Sequence, residues 1–294
     1  MKNKNYPVLG VIGGSGLYKL DSLKILGYKN IMTPFGKPSD KILVGQYKNL
    51  NIFFLPRHGK NHTIPPHKIN YKANIFALKK LGVTDIISIS AVGSLKKSHK
   101  PGDFILATQY VDRTFGRSTT FFDDDCVAHV SLAHPVSGQL LNKLYSCRNK
   151  IKNIKKGGTY ICIEGPQFST FAESMIYKKY GCDIIGMTNL PEVRLAREAE
   201  IGYASIGMVT DYDCWHKDHD AVTVEDIIAV MQKNTVKAKN LLETFFSYII
   251  KDKKWNFNDS IYNNLDAAII TSKNNISLKT KKKLKPLIER FLKS

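Results

Sequence analysis

The sequence predicts an α/β fold, with a mostly parallel or mixed central sheet flanked by helices. Three observations predict it. Short continuous apolar runs alternate with helix-like segments, the mark of buried strands covered by helices. Hydrophobic residues make up 43% of the 294, enough to bury a sizeable core. Each strand-like run ends in glycine, small or polar residues, and in such sheets ligands bind where strands end.

Taken in order, residues 7–12 read as a buried strand running into the loop GGSG. KILVGQY and NIFFLPRHG read as two strands with a hairpin turn near Lys48–Asn51. Over 68–81, apolar Ile69, Ala73, Ile75, Phe76 and Leu81 recur at helical spacing. VTDIISISAVGSL is a strand rich in Ile and Val, and GDFILATQYVD reads as one strand after a Pro101–Gly102 turn. An irregular segment, 113–135, contains FFDDD, read as a surface loop because three adjacent carboxylates cannot all face one ion. Residues 137–153 read as a helix, GTYICIEGP as a strand, and TFAESMIYKKYG as a helix closed by Gly181. CDIIGMT is a strand, LPEVRLAREAEI a helix with Pro191 near its start, YASIGMVTDYD a strand, and 223–250 a long amphipathic helix. Residues 251–265, polar and Asn-rich, read as a linker, and 266–294 as one or two short helices. The division is therefore 1–250, the main α/β domain, and 251–294, a C-terminal helical extension packed on it.

Composition excludes several classes. The formal charge is +19, but Lys supplies nearly all of it. The abundance of Lys, Asn and Ile is what an AT-rich genome favours, and base readout calls for Arg. No nucleic-acid partner is expected. No stretch approaches ~20 apolar residues, so no membrane span is expected, and the apolar run behind MKNKNYP is too short for a signal peptide. The five cysteines include no C-x-x-C pair, which fits a reducing cytoplasm and argues against a disulfide framework or a zinc site. The seven arginines, scarce in a Lys-rich chain, are candidates for sites needing forked donors.

Six strand ends carry the chemistry: GGSG, PRHG, SAVGS, IEGPQF, GMTN and TDYD. From Gly14 the loop reads G-S-G-L-Y-K. The third glycine of a dinucleotide fingerprint is missing, and no P-loop string occurs. What remains, backbone N–H groups and the Ser15 hydroxyl, suits one small anion. Arg57, His58, Ser90, the Ala91 N–H and Thr188 add donors, and together they describe a site for free phosphate. Asp211 and Asp213, two apart on a strand end, point the same way. Such a pair serves a glycosidase, a metal, or the edge of a heteroaromatic base, and Phe168 can stack on a flat base.

In sequence order, GVIGGSGLY, PRHGKNHTIPPHKINYKANIFALKKLGV, SAVGSL, PGDFILATQYVDRT, IEGPQFSTFAES, MTNLPEVRLAREAEI and TDYDCW resemble the phosphate-dependent purine nucleoside phosphorylase family, trimeric branch, over roughly residues 7–250. Within it, the resemblance is to members that act on S-methyl-5'-thioadenosine. It implies a single α/β domain with a twisted mixed β-sheet flanked by helices, assembled as a homotrimer or hexamer. It implies a phosphate site from Ser15, Arg57, His58, Ser90, Ala91 and Thr188; the family often has Thr where Ser15 and Ser90 stand. Met187 would lie against the ribose, Phe168 on the purine, Asp211 at N7 and Asp213 at the exocyclic amine. Ile227 and Met231 would line an apolar 5' pocket, with His129 lent by a neighbouring subunit. The activity implied is a pentosyl transfer: phosphorolysis of S-methyl-5'-thioadenosine to adenine and 5-methylthioribose-1-phosphate, a salvage reaction. Orthophosphate is a co-substrate, with no cofactor and no metal. The alternative is a 6-oxopurine nucleoside or methylthioinosine phosphorylase of the same fold; two Asp rather than an Asn first favour a 6-amino base.

Overall fold

Strand β5 (Asp85–Ser94) is the hub of an eleven-stranded mixed sheet. The computed structural model describes residues 6–293 except 15, 18, 19 and 217–223, and only the backbone of 224–227. Strands β1 (Leu9–Gly13) and β11 (Gly202–Tyr212) pair with β5 in parallel, one on each edge. Beyond β1 come β4 (Leu50–Pro56), parallel, then β3 (Ile42–Tyr47) and β2 (Lys24–Lys29), antiparallel. The hairpin between β3 and β4 turns at Lys48, φ 51°. Edge strand β2, KILGYK, shows no buried alternation, so no sequence pattern betrays it.

The β1 edge of β5 is only partly covered. Pairing with β1 ends at Ile12–Ser88, and β10 (Ile184–Gly186) joins the same edge, antiparallel, only at Gly93–Ser94. Ile89–Val92 therefore face a gap. β10 carries parallel β9 (Thr159–Ile163), and β9 carries parallel β7 (Gln109–Arg113). On the far side, β11 carries β6 (Phe104–Leu106), and β6 carries β8 (Ile154–Lys156). The stretch GDFILATQYVD is thus two strands, β6 and β7, on opposite arms of the sheet. Only polar Thr108 and Gln109 interrupt its apolar residues at the break, with no Gly or Pro there, so the change of partner leaves little mark in the sequence.

Helix starts follow capping chemistry. Asn70 accepts from Ala73 N at 3.0 Å to open α1 (Tyr71–Lys80), and Ser137 caps α2 (Gly138–Ser146). Thr170 and Glu173 form a capping box for α3 (Phe171–Lys179), and Pro191 precedes α4 (Glu192–Glu198). The segment expected as a helix over 137–153 stops at Ser146, continues as a 3₁₀ turn and enters β8. Helices α5 (Val224–Asp252) and α6 (Leu278–Lys293) complete the chain. Apolar side chains form two main clusters, one holding Phe76, Tyr160 and Leu195, the other Phe54, Phe104 and Phe245. Among the described residues, no helix is long and apolar enough to cross a membrane.

One expectation is corrected here. Residues 251–265 are no linker: Trp255, Ile261 and Leu265 are buried. Trp255 donates to the Tyr262 hydroxyl at 2.9 Å, and that hydroxyl donates to Asp85 Oδ1 at 2.8 Å. In FFDDD the three carboxylates are exposed on a loop, as expected from the sequence, but the segment is anchored. Phe121 and Phe122 are buried, Asp123 pairs with Lys72 and Lys283, Asp124 with Lys283, and Asp125 accepts from Ser277 N. These carboxylates dock the tail, whose Leu284, Leu287 and Ile288 join the main core.

Candidate active site

A cavity of about 330 Å³ opens at the gap beside β5. The carboxyl ends of β1, β4, β5, β9, β10 and β11 converge there, so the strand ends singled out in the sequence meet in one place. At its heart lies the unpaired edge of β5. Arg57 Nη1 donates to the Ile89 carbonyl at 3.0 Å, so that residue's polar groups face the gap. Two residues on along an extended strand, the Ala91 N–H faces it too.

One end of the cavity is lined by Gly14, Gly16, Arg57, His58, Ser90 and Thr188. Arg57 is 1% exposed. Its fork is already engaged: Nε and Nη2 bind the Glu192 carboxylate at 2.9 and 3.0 Å, and Nη2 also reaches Ser88 Oγ at 2.6 Å. It therefore presents a ligand with the Nη1 side of its guanidinium rather than an open fork, a departure from the sequence expectation. The His58 ring places Nδ1 2.8 Å from the Ile64 carbonyl and stacks on His62 with centroids 4.1 Å apart. Burial, then the neighbouring Arg57 charge, push the His58 pKa down to about 4, so the ring is neutral at physiological pH. Ser90 Oγ donates to Asn189 Oδ1 at 3.3 Å. Thr188 Oγ1 is buried with no hydrogen-bond partner among the described residues, as a donor reserved for a ligand is. Ser15 lies outside the described residues.

The other end is lined by Phe168, Ser169, Ile185, Asp211 and Asp213. β11 carries a bulge between Val209 and Asp211, and both carboxylates sit over Gly93 of β5. A Cβ built on Gly93 would meet Ile185 Cγ2 at 3.0 Å, Asp211 Oδ2 at 3.4 Å and Asp213 Cβ at 3.6 Å. The absent side chain thus leaves open the space between Ile185 and the acids that a Cβ would fill. Burial raises the pKa of both. At Asp211 the hydrogen bond from Thr210, 2.5 Å from Oδ1, opposes it and the Asp213 charge adds to it. At Asp213 the Ser174 hydroxyl is the main opposing influence. Phe168 is 72% exposed at the mouth, free to cover a ligand. Between the two ends lie Met187, Met208 and Met231, a largely apolar wall. Ile227 lies in α5, and its side chain is outside the described residues. His129 does not line this cavity; it is exposed, and its N–H donates to the Ala268 carbonyl at 2.8 Å.

Two buried residues that frame the site had no assigned role. Glu192 holds Arg57 and accepts from Ser88 Oγ and the Tyr203 hydroxyl. Arg117 ties together two of the strand ends. It donates to the carbonyls of Glu164 (2.7 Å), Met187 (2.8 Å) and Leu190 (2.5 Å), and to Glu164 Oε1 (3.1 Å). The scarcity of Arg was a usable signal for Arg117; nothing marked Glu192 beyond its place in the LPEV helix start.

The model of the phosphorylase superfamily matches residues 8–247. The chain belongs to this superfamily. Among curated superfamily proteins, S-methyl-5'-thioadenosine phosphorylase of Rhodospirillum rubrum is 50% identical over 266 residues, 90% of each chain. The protein of the same name from Koribacter versatilis is 45% identical, over 96% of each chain. Among solved structures, a methylthioadenosine phosphorylase from an antarctic soil metagenomic library superposes with a TM-score of 0.88 at 40% identity, covering 96% of this chain and 99% of that one. A Schistosoma mansoni adenosine/methylthioadenosine phosphorylase variant, in complex with methylthioadenosine, gives a TM-score of 0.80 at 36% identity, covering 88% and 96%. The superfamily model ends at residue 247, and the likeness to the metagenomic enzyme's structure extends over 96% of the chain.

Proposed function

We propose that this chain is a pentosyltransferase that cleaves S-methyl-5'-thioadenosine with orthophosphate, giving adenine and 5-methylthioribose-1-phosphate. The observation that carries the reading is the division of one cavity. Two carboxyls of raised pKa, Asp213 buried and Asp211 half-buried, stand over Gly93 at one end; the Thr188 hydroxyl, the Ala91 N–H, Arg57 and His58 stand at the other. A protonated Asp211 donates to N7 as the C1'–N9 bond loosens, and Asp213 accepts from the 6-amino group. Phosphate beneath the sugar stabilises the oxocarbenium-like centre and then bonds to C1', its own proton balancing the one adenine keeps. The names borne by the relatives support the nucleoside, and the apolar wall at Met208 and Met231 suits a methylthio group.

The reading extends to assembly and compartment. His129, exposed and away from its own cavity, is available to a neighbouring subunit of a homotrimer or hexamer. Five free cysteines support a reducing cytoplasm. No metal or organic cofactor is invoked, and the salvage of purine and methionine is the physiological setting. Phosphate-dependent adenine release tests the reading. Asp211→Asn should lower kcat with methylthioadenosine by about 10²–10⁴-fold, the range of a lost general acid. Preference for inosine or methylthioinosine, or an unchanged kcat in the variant, would overturn the assignment.

A further inference from the structure

We propose that phosphate enters this site together with one proton, held between a phosphate oxygen and Nε2 of His58. The inference rests on the phosphate reading above and adds an ionisation state to it. The first ground is the tautomer. A carbonyl oxygen only accepts, so the 2.8 Å contact from His58 Nδ1 to the Ile64 carbonyl requires the ring hydrogen on Nδ1. The neutral ring then presents a bare lone pair at Nε2, the one nitrogen left for a ligand. The turn fixes this arrangement from both sides: Ile64 N–H donates back to the His58 carbonyl at 3.0 Å, and the ring lies stacked on His62, interplanar angle 17°.

The second ground is charge. Arg57, at the end of β4, is neutralised by Glu192 of α4. No Lys and no second Arg stand among the described residues lining the cavity. Among the described residues, the groups facing His58 are Arg57, His62, Glu192 and the Ile64 carbonyl; burial first, then the Arg57 charge, leaves the ring neutral against the Ile64 carbonyl and Glu192, which favour the charged form. A monohydrogen phosphate dianion would therefore press an oxygen lone pair against the Nε2 lone pair in a cradle of no net charge. One proton removes the repulsion and supplies the missing positive charge. The balance is closed: free site, HPO₄²⁻ and H⁺ give a complex written either as imidazolium with dianion or as imidazole with H₂PO₄⁻. The proton leaves with the release of the phosphate ester, so turnover consumes none.

Calorimetric titration of the full chain with inorganic phosphate near pH ~8, in two buffers of different ionisation enthalpy, counts the protons. Uptake of nearly one per phosphate is expected, abolished in His58→Gln, whose amide offers an N–H without titrating. Binding without uptake, or uptake that persists in His58→Gln, overturns the inference and leaves the phosphate site standing. Failure of phosphate to bind at all overturns the site itself. Sulfate, which carries no proton in this range, tests the unmodified chain alone. Its affinity is expected to fall about tenfold per pH unit between roughly pH 6 and 8; sulfate binding independent of pH overturns the proposal.

Discussion

At Asp211 burial favours the protonated carboxyl, while the Thr210 hydroxyl on Oδ1 favours the carboxylate. A general acid works only while protonated, so turnover should decline as pH rises through the Asp211 pKa. Thr210→Val removes the group that lowers that pKa. Its basic limb in a kcat–pH profile should therefore move to higher pH, and a shift to lower pH would contradict the assignment. Arg117 acts at one remove, by holding the Met187 carbonyl and the strand end before Phe168. Arg117→Ala leaves several buried carbonyls and Glu164 without their donor. It should lower kcat/KM by about 10²-fold, with partial recovery on adding millimolar guanidinium, while Arg117→Lys, lacking the planar fork, stays impaired. Steady-state kinetics with and without guanidinium decide it. The chemistry-bearing residues at this scale were legible because polar side chains beside glycine at strand ends are conspicuous. Their partners were not: Glu192 and Thr210 act by contacts between residues far apart in the chain or by a local bulge.

Among the elements, β5 does most to shape the site, by outlasting β1. Its Gly93 has backbone angles that any residue can adopt, so the glycine is needed for the room it leaves and not for its flexibility. Gly93→Ala meets no backbone strain but puts a methyl group 3.0 Å from Ile185 Cγ2 and 3.4 Å from Asp211 Oδ2, so these side chains must give by a few tenths of an ångström. The KM for the nucleoside should rise about tenfold or more, with the KM for phosphate little changed. Equal rises in both would place Gly93 elsewhere in the mechanism. The helices were readable because caps are local: Ser137 and the Thr170–Glu173 box each announce a start within four residues. The strands that changed partner were not. Pairing of β6 with β11, and of β7 with β9, depends on where the sheet divides, and no window of a few residues records that.

Over the whole molecule, the tail is part of the core. Asp85 sits at the opposite end of β5 from the cavity, and Tyr262 from the tail donates to both its oxygens, at 2.8 and 3.1 Å. Burial pushes the Asp85 pKa up to about 7, against the hydrogen bonds from Thr84 and Tyr262 that lower it. A carboxyl raised on folding favours the native state most when both states are protonated, and that contribution is lost as pH rises from about 4 to about 7. Tyr262→Phe removes a donor to the charged form. It should cost about 1–3 kcal/mol at pH ~8 and less at pH ~5, read by urea denaturation; an equal loss at both would exclude the coupling. The polar composition of 251–265 concealed this role, because Trp255, Ile261 and Leu265 are sparse anchors in an Asn-rich run. The gap beside β5 has a consequence at this scale as well. By strand pairing, the arm of β1 to β4 and the arm of β10, β9 and β7 meet through β5, and the Arg57–Glu192 ion pair ties the end of β4 to α4, which follows β10. A nucleoside and phosphate seated between them would stand where a strand is missing and would add contacts to both arms beside the Arg57–Glu192 pair.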